Sequence, residues 1–311
     1  MPRRHRFILA LLVAALAAAY VLISPTVHPG YISDWDQLHD AARAWRAGQN
    51  PYDVVLANHR ARGVTFGLVY PFTAVVVALP FSVLSLEDAR ALFVALSAGC
   101  FTYLLLARWW LFPLLLSGSF RSAISAGQIA PFVACAVMVP AFGWVAAYKP
   151  NIGLLTMTLG QGRRWAVVYL GAATALLAVS LALWPQWPLA WFRASSEGEH
   201  LTPMVMRPMG WVLLLAALRW RRPEAHWLLA LAVIPTTPNV YDALPLLVVL
   251  CTSFREALVF AILSGVADVV GYAIPHPDTM AGLNTARAVA VLWLLYVPVM
   301  VVLMRRPHEV R

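Results

Sequence analysis

Residues Phe7 to Ile23 form an unbroken apolar run directly behind Arg3, Arg4 and Arg6. A bilayer-crossing helix needs about twenty apolar residues, and a chain in lipid must satisfy its own backbone polar groups. Runs of this kind recur to the C-terminus, which confines the chain to a helical bundle in a membrane. Composition agrees: 61% of residues are hydrophobic and 12% charged, with mean hydropathy +0.72, where soluble domains carry about 25% charged residues. The expected fold is therefore all-α, a polytopic bundle of about nine or ten spans forming a single integral membrane domain over residues 1–311. Short connections leave no room for a large soluble domain.

The net charge of +9 comes from twenty-two arginines and one lysine. Most arginines stand in short loops beside apolar runs, the pattern of membrane topology and not of a nucleic-acid partner. The first run resembles a signal peptide, but it is long for one, and cleavage near Ala17-Ala18-Ala19 would free a chain that still needs anchoring. It reads as an uncleaved first span, about residues 7–24, with a cytoplasmic N-terminus. Further spans are expected at about 66–84, 91–107, 166–184, 207–218, 226–234, 236–250, 256–274 and 287–304. This places the turn Ser85 to Arg90 in the cytoplasm and Arg108 outside. Arg163 and Arg164, Arg219, Arg221 and Arg222, Arg255, and Arg305 and Arg306 then share the cytoplasmic side, as does the C-terminus. The expected location is the cell membrane. Between Arg108 and Gln161, prolines 113, 131, 140 and 150 with Gly118 interrupt the apolar sequence; broken helices at membrane depth need a protein or aqueous lining, so this region is expected to wall a cavity. Trp184, Trp187, Trp191 and Phe192, followed by Arg193, Glu197 and Glu199, read as an interfacial helix with a polar tip, explained by an aromatic belt. Cys100, Cys135 and Cys251 are odd in number, lack metal spacing and read as small buried residues.

Against this background the stretch Ser33 to Asp53, SDWDQLHDAARAWRAGQNPYD, is what a membrane would refuse. It holds Asp34, Asp36, Asp40 and Asp53, four of the chain's fourteen acidic groups, and lies in a first extracytoplasmic loop of about residues 26–64. Its alanines and Trp45 favour a short juxtamembrane helix that stops at Gly48 before Asn50-Pro51. Asp34 or Asp36 there is either a helix cap or acidic chemistry at a membrane surface. Lys149 is the chain's one lysine, set in GWVAAYKPNIGLL, where a charge is expensive unless it lines a cavity, has a partner or snorkels to an interface. Asp242 and Asp268 are embedded in the same way, and either is a possible ion-pair partner for Lys149 or an arginine. Gly127-Gln128 is a polar break, and Tyr70-Pro71 opens an apolar segment. No phosphate-binding loop, dinucleotide fingerprint, zinc spacing or Ser-His-Asp pattern occurs, so neither a metal nor a cofactor is expected.

Taken together these segments resemble the polyprenol-phosphate-dependent glycosyltransferases of the GT-C type, and within them family 87, the mannosyltransferase-like group. The resemblance rests on Asp34 with the alanine-arginine helix and G-x-N-P-Y, then LVYPFTAVVVALPFSVL from Leu68, Gly127-Gln128, Tyr148 to Leu154, and Pro235 to Leu247, in the family's order over about residues 30–250. It implies a GT-C-like bundle and inverting transfer of a sugar, mannose in this group, from a polyprenyl-phosphate donor to a lipid or glycan acceptor on the extracytoplasmic face. In that role Asp34 matches the catalytic base, with Asp36 in reserve, and Lys149 binds the donor phosphate. Tyr70, Gln128, Tyr241 and Asp242 are the cavity-lining candidates. The chain departs from the family in lacking the charged loop between Gln128 and Lys149 and the histidine near Asn239 to Ala243. Two other classes carry the same embedded charges: a transporter or flippase, although the halves show no inverted repeat, and an inactive membrane assembly subunit.

Overall fold

The apolar runs become helices wherever they are long and free of proline. A computed structural model describes residues 1–27, 33–61, 67–159, 162–196, 202–234, 239–275 and 280–306. Arg62, Phe66, Gln161, Glu197, Glu199 and the turn at 235–238 lie outside the described residues. Helix α1 (Arg3–Val27) is the expected first span, and the acidic stretch forms α2 (Asp34–Arg46), which ends before Gly48 in the left-handed region at φ +74°. After α3 (Pro51–Ala61), α4 (Phe72–Ala78) continues as a 3-10 turn, Leu79–Val83, and α5 (Leu86–Leu105) follows. The proline-rich middle is broken as its sequence demands. A 3-10 stretch over Trp109–Leu116 leads into α6 (Gly118–Ser125) and α7 (Ala130–Met138), and a second 3-10 stretch, Pro140–Trp144, into the single turns α8 (Val145–Tyr148), α9 (Pro150–Gly153) and α10 (Thr156–Leu159). Then come α11 (Gly162–Leu183), α12 (Trp187–Ser196), a 3-10 segment Gly210–Arg219, α13 (Pro223–Val233), and α14 (Leu244–Leu250) behind the turn Val240–Ala243. The chain closes with α15 (Phe254–Ala273), α16 (Met280–Val291) and α17 (Val297–Arg305), the last two joined through one π turn, Leu292–Tyr296.

Five helices among the described residues are long and apolar enough to cross a bilayer: Arg3–Ile23, Leu86–Leu105, Gly162–Leu183, Phe254–Ala273 and Gly282–Arg305. They coincide with five of the expected spans. The other segments behind the expected nine or ten are shorter pieces, of which Phe72–Val83, Gly210–Arg219 and Val240–Leu250 are apolar. Burial sorts the long helices. Only 11% of the α11 window and 17% of the α1 window is covered by protein, against 56% for α5. An apolar helix with so little protein around it presents a surface suited to lipid, while α5 is a central element packed on α1, α2 and α7.

One expectation is overturned by the way α5 is approached. Seven α-helical and five 3-10 residues over Phe72–Val83 rise about 20 Å in all, short of the about 30 Å of a hydrocarbon core. Both parts pack on α2, and His39 Nε2 lies 3.3 Å from the Leu84 carbonyl oxygen. The segment runs alongside α2 and is too short to cross, and Pro80, which donates no N–H, falls where the α-helix tightens. The turn Ser85 to Arg90 therefore sits at the same end of the bundle as Asp34, and Arg108 sits at the opposite end. There Arg6 lies over the Tyr103 ring at 4.6 Å, Trp109 stacks on Phe254, and Arg306 reaches Glu224, Glu256 and the Leu250 carbonyl. Both terminal helices thus end on one side, with the acidic loop on the other.

Combined with the extracytoplasmic placement expected for the acidic loop, this arrangement predicts a labelling pattern. With Cys100, Cys135 and Cys251 replaced, an impermeant thiol reagent applied to intact cells should modify Gln49→Cys and Glu87→Cys alike and leave Arg108→Cys untouched until permeabilisation. Modification of Gln49→Cys and Arg108→Cys together, with Glu87→Cys protected, would restore the full crossing at Phe72–Val83.

Candidate functional site

Ser33 is the N-cap of α2, with extended backbone angles, and the acid three residues on closes the box. The Ser33 N–H and hydroxyl both donate to Asp36, at 2.9 and 2.5 Å, so the acid satisfies the N-cap N–H as in the return half of a capping box, and the Asp36 N–H donates back to the Ser33 carbonyl at 3.0 Å. Arg90 on α5 donates to the same carboxylate through Nε at 3.0 Å and Nη2 at 2.7 Å. Both side chains are almost fully covered, at 6% and 4% exposure. Next to this pair Trp35 stacks on Phe93 with centroids 3.8 Å apart and is fully buried. Asp36, the reserve catalytic candidate, is thus occupied in docking α2 onto α5.

Asp34, one residue into the helix, has a different setting. Its N–H donates to the Ala126 carbonyl at 2.8 Å, which ties α2 to the end of α6. That end is a Schellman cap: Gly127 donates to Ile124 and Gln128 to Ala123, with Gly127 at φ +60°. A Cβ on Gly127 would also lie 2.8 Å from the Trp35 Cβ. Only glycine allows this turn to sit against α2, and the turn is what delivers Gln128. The Gln128 amide donates to Asp34 Oδ2 and, at 3.0 Å, to the Tyr70 hydroxyl, while its Oε1 accepts from Lys149 Nζ at 3.5 Å. The orientation of the amide follows from charge, because the flipped form would set its NH2 against the ammonium and its oxygen against the carboxylate.

Lys149 arrives through a chain break. It ends α8 at φ −132° and ψ 78°, and Pro150 starts α9. A Cβ on Gly153 would overlap the backbone of Val145 and Ala146, so this glycine lets α9 fold back on α8. The Lys149 ammonium is 3.2 Å from Asp242 Oδ1 and 5.2 Å from the Tyr241 ring centroid. Asp242 stands in the turn Val240–Ala243, which Ser119 on α6 holds by donating to the Val240 carbonyl at 2.8 Å. Tyr70 is fixed from behind, where the Tyr52 hydroxyl donates to its carbonyl at 3.4 Å and Trp191 Nε1 donates to that of Val69 at 3.1 Å. Five separate segments therefore bring Asp34, Tyr70, Gln128, Lys149, Tyr241 and Asp242 into one polar cluster. Asp268 lies apart from it and pairs with Arg121.

The electrostatics separate the two acids of α2. Asp34 keeps part of its surface exposed, although protein crowds it on most sides. Burial raises its carboxyl above the usual aspartate range, against the Gln128 hydrogen bond and the Lys149 charge, which lower it. Its direct partners among the described residues are amides, Gln128 and, at 3.4 Å, Gln37, and no cation among them is bonded to it. The cluster can hold a carboxylate base at its edge and a cation 3.2 Å from a second acid that an incoming anion would displace. Sequence reasoning missed Arg90, Gln37 and Arg287; the charge of Arg287, on α16, reaches Asp34.

Opposite stability effects are expected at neighbouring positions. Asp36→Asn strips a buried arginine of its counter-charge, and it should cost about 3–5 kcal/mol. Gly127→Ala adds left-handed strain to a steric overlap with Trp35 and should also lower the melting temperature in detergent. Asp34→Asn should leave it unchanged or raise it at neutral pH. A carboxyl with a raised folded pKa favours the fold most when protonated and progressively less as pH climbs through that value, and asparagine is uncharged throughout. Equal melting shifts for Asp34→Asn and Asp36→Asn would refute this division. In comparisons with protein-family models, curated proteins and solved structures, nothing matches this chain.

Proposed function

We propose that this protein is an integral membrane glycosyltransferase, which takes a sugar, mannose in the family it resembles, from a polyprenyl-phosphate donor and transfers it with inversion to a hydroxyl of a lipid or glycan acceptor. The supporting observation is the convergence of the six polar residues, drawn from five segments, at the end of the bundle that carries the acidic loop. On this reading Asp34 removes the acceptor proton as its oxygen attacks the anomeric carbon. The bond from that carbon to the phosphate oxygen breaks on the opposite face, and the departing phosphate keeps the electron pair. Lys149, released from Asp242, and Arg287 offset the charge that develops on the phosphate. Tyr70 and Gln128 position the base. The side bearing the loop is the extracytoplasmic one, with the arginine-rich termini in the cytoplasm.

A nearly buried Lys149–Asp242 pair also suits a transporter, and one assay separates the two. Purified protein in proteoliposomes should move label from polyprenyl-phosphate [¹⁴C]mannose to a component of total membrane lipid. Asp34→Asn should lower the rate by about a hundredfold to ten-thousandfold with normal expression, and Lys149→Met should impair donor use more than folding. The wild-type rate should rise with pH along an acid limb placed above the usual aspartate range, since the base must be ionised. Label that crosses the bilayer without a new glycosidic bond would replace the transferase by the transporter, and full activity in Asp34→Asn would remove the base.

A further inference from the structure

A groove of about 900 Å³ runs between α1 and α5, far from the polar cluster. The two helices are antiparallel neighbours there, with Arg6 over Tyr103 and Ala14 beside Gly99. The floor is made of small residues: a Cβ on Gly99 would stand 3.3 Å from the Ala14 Cβ, and Ala10 and Ala95 lie alongside. Phe7, Leu11 and Leu96 form the rims and are 56%, 56% and 46% exposed. The lining is apolar except at one end, where Arg3 and Arg4 close it.

Those arginines are exposed, and no acidic side chain pairs with Arg3, Arg4 or Arg6 among the described residues. Arg6 stacks on Tyr103, and its buried Nε has no hydrogen-bond partner. The acids of α5, Glu87 and Asp88, stand in its first turn, at the other end of that helix from Tyr103. The groove extends from Arg3 to Ala14, a rise of about 16 Å and so about half the hydrocarbon thickness.

We propose that this groove binds an anionic phospholipid, with one acyl chain lying between α1 and α5 and the headgroup phosphate on Arg3 and Arg4. Length and charge both select this occupant. The apolar part, from Phe7 to Ala14, rises about 11 Å and so stays within one leaflet, and its charged end lies where the headgroup of that leaflet would be, with cations that have no acidic partner among the described residues. A free phosphate would leave the groove empty, and a zwitterionic lipid would bring its own ammonium to the arginines.

Native mass spectrometry of the full-length protein, titrated with dioleoyl phosphatidylglycerol or dioleoyl phosphatidylcholine, tests the proposal. The wild type should retain phosphatidylglycerol at least tenfold more tightly. Arg3→Gln with Arg4→Gln should weaken phosphatidylglycerol by about tenfold to thirtyfold and leave phosphatidylcholine unchanged. Ala95→Leu, which fills the floor, should weaken both lipids, and unchanged helix content by circular dichroism would verify the fold. The arginine pair is on an exposed helix end, so it decides the matter even if Ala95→Leu misfolds. Equal retention of the two lipids by the wild type, or no loss in the arginine double variant, would overturn the proposal. A wild-type dimer abolished by Ala95→Leu would overturn it as well, by giving the groove to a second copy.

Discussion

The pair formed by Asp36 and Arg90 decides which parts of this chain face one another. Both charges are almost fully covered, and an ion so removed from water is tolerable only with its partner and a full set of hydrogen bonds. The Ser33 cap supplies the remaining donors. Because Arg90 stands at the start of α5 and Asp36 at the start of α2, the pair pins the acidic helix to the end of the central helix. Everything downstream inherits that choice: α5 runs away from the loop, the Trp109–Leu116 stretch lies at the far end, and α6 returns to place Gly127 against Trp35.

Much of this was readable in advance, because the physics involved is local. Long proline-free apolar runs such as Phe7 to Ile23 can satisfy their backbone in lipid only as helices, and α1, α5, α11 and α15 lie where those runs lie. The stop at Gly48 and the breaks at Pro140 and Pro150 follow from backbone geometry alone. The expectation failed at Phe72–Val83, whose apolar character says nothing about whether it crosses. Length is the discriminating quantity, and the 3-10 turn at Pro80 shortens the helical part below a span. Arg90 was invisible for a related reason: placed in a cytoplasmic turn, it stood across the membrane from Asp36, and only the folded contact identifies it.

The polar cluster divides in the same way. An embedded lysine with one of two embedded aspartates as its partner is a deduction from the cost of charge in lipid, and Lys149 does meet Asp242. Which aspartate it meets depends on α6, since Ser119 secures the turn that carries Asp242 while Arg121, two residues on, takes Asp268. Residues two apart on a helix point about 200° away from each other, so one short helix serves the cluster with one face and answers an aspartate on α15 with the other.

That same geometry accounts for the unlike fates of Asp34 and Asp36. They are identical in type and two residues apart at the start of α2, where the helix N-terminus favours negative charge for both. Their side chains leave the helix on nearly opposite faces. One face turns into α5 and meets Arg90, which makes Asp36 a fixed charge with its oxygens fully engaged. The other turns toward the end of α6, where its bonded partners among the described residues are the amides Gln128 and Gln37, and burial there makes the Asp34 carboxyl hold its proton more tightly than an ordinary aspartate. A base has to release and recapture a proton near the working pH, and the oxygens of Asp36 are already taken up by Arg90 and Ser33. Of the two acids, the one without a bonded cation is the one whose environment leaves proton transfer open.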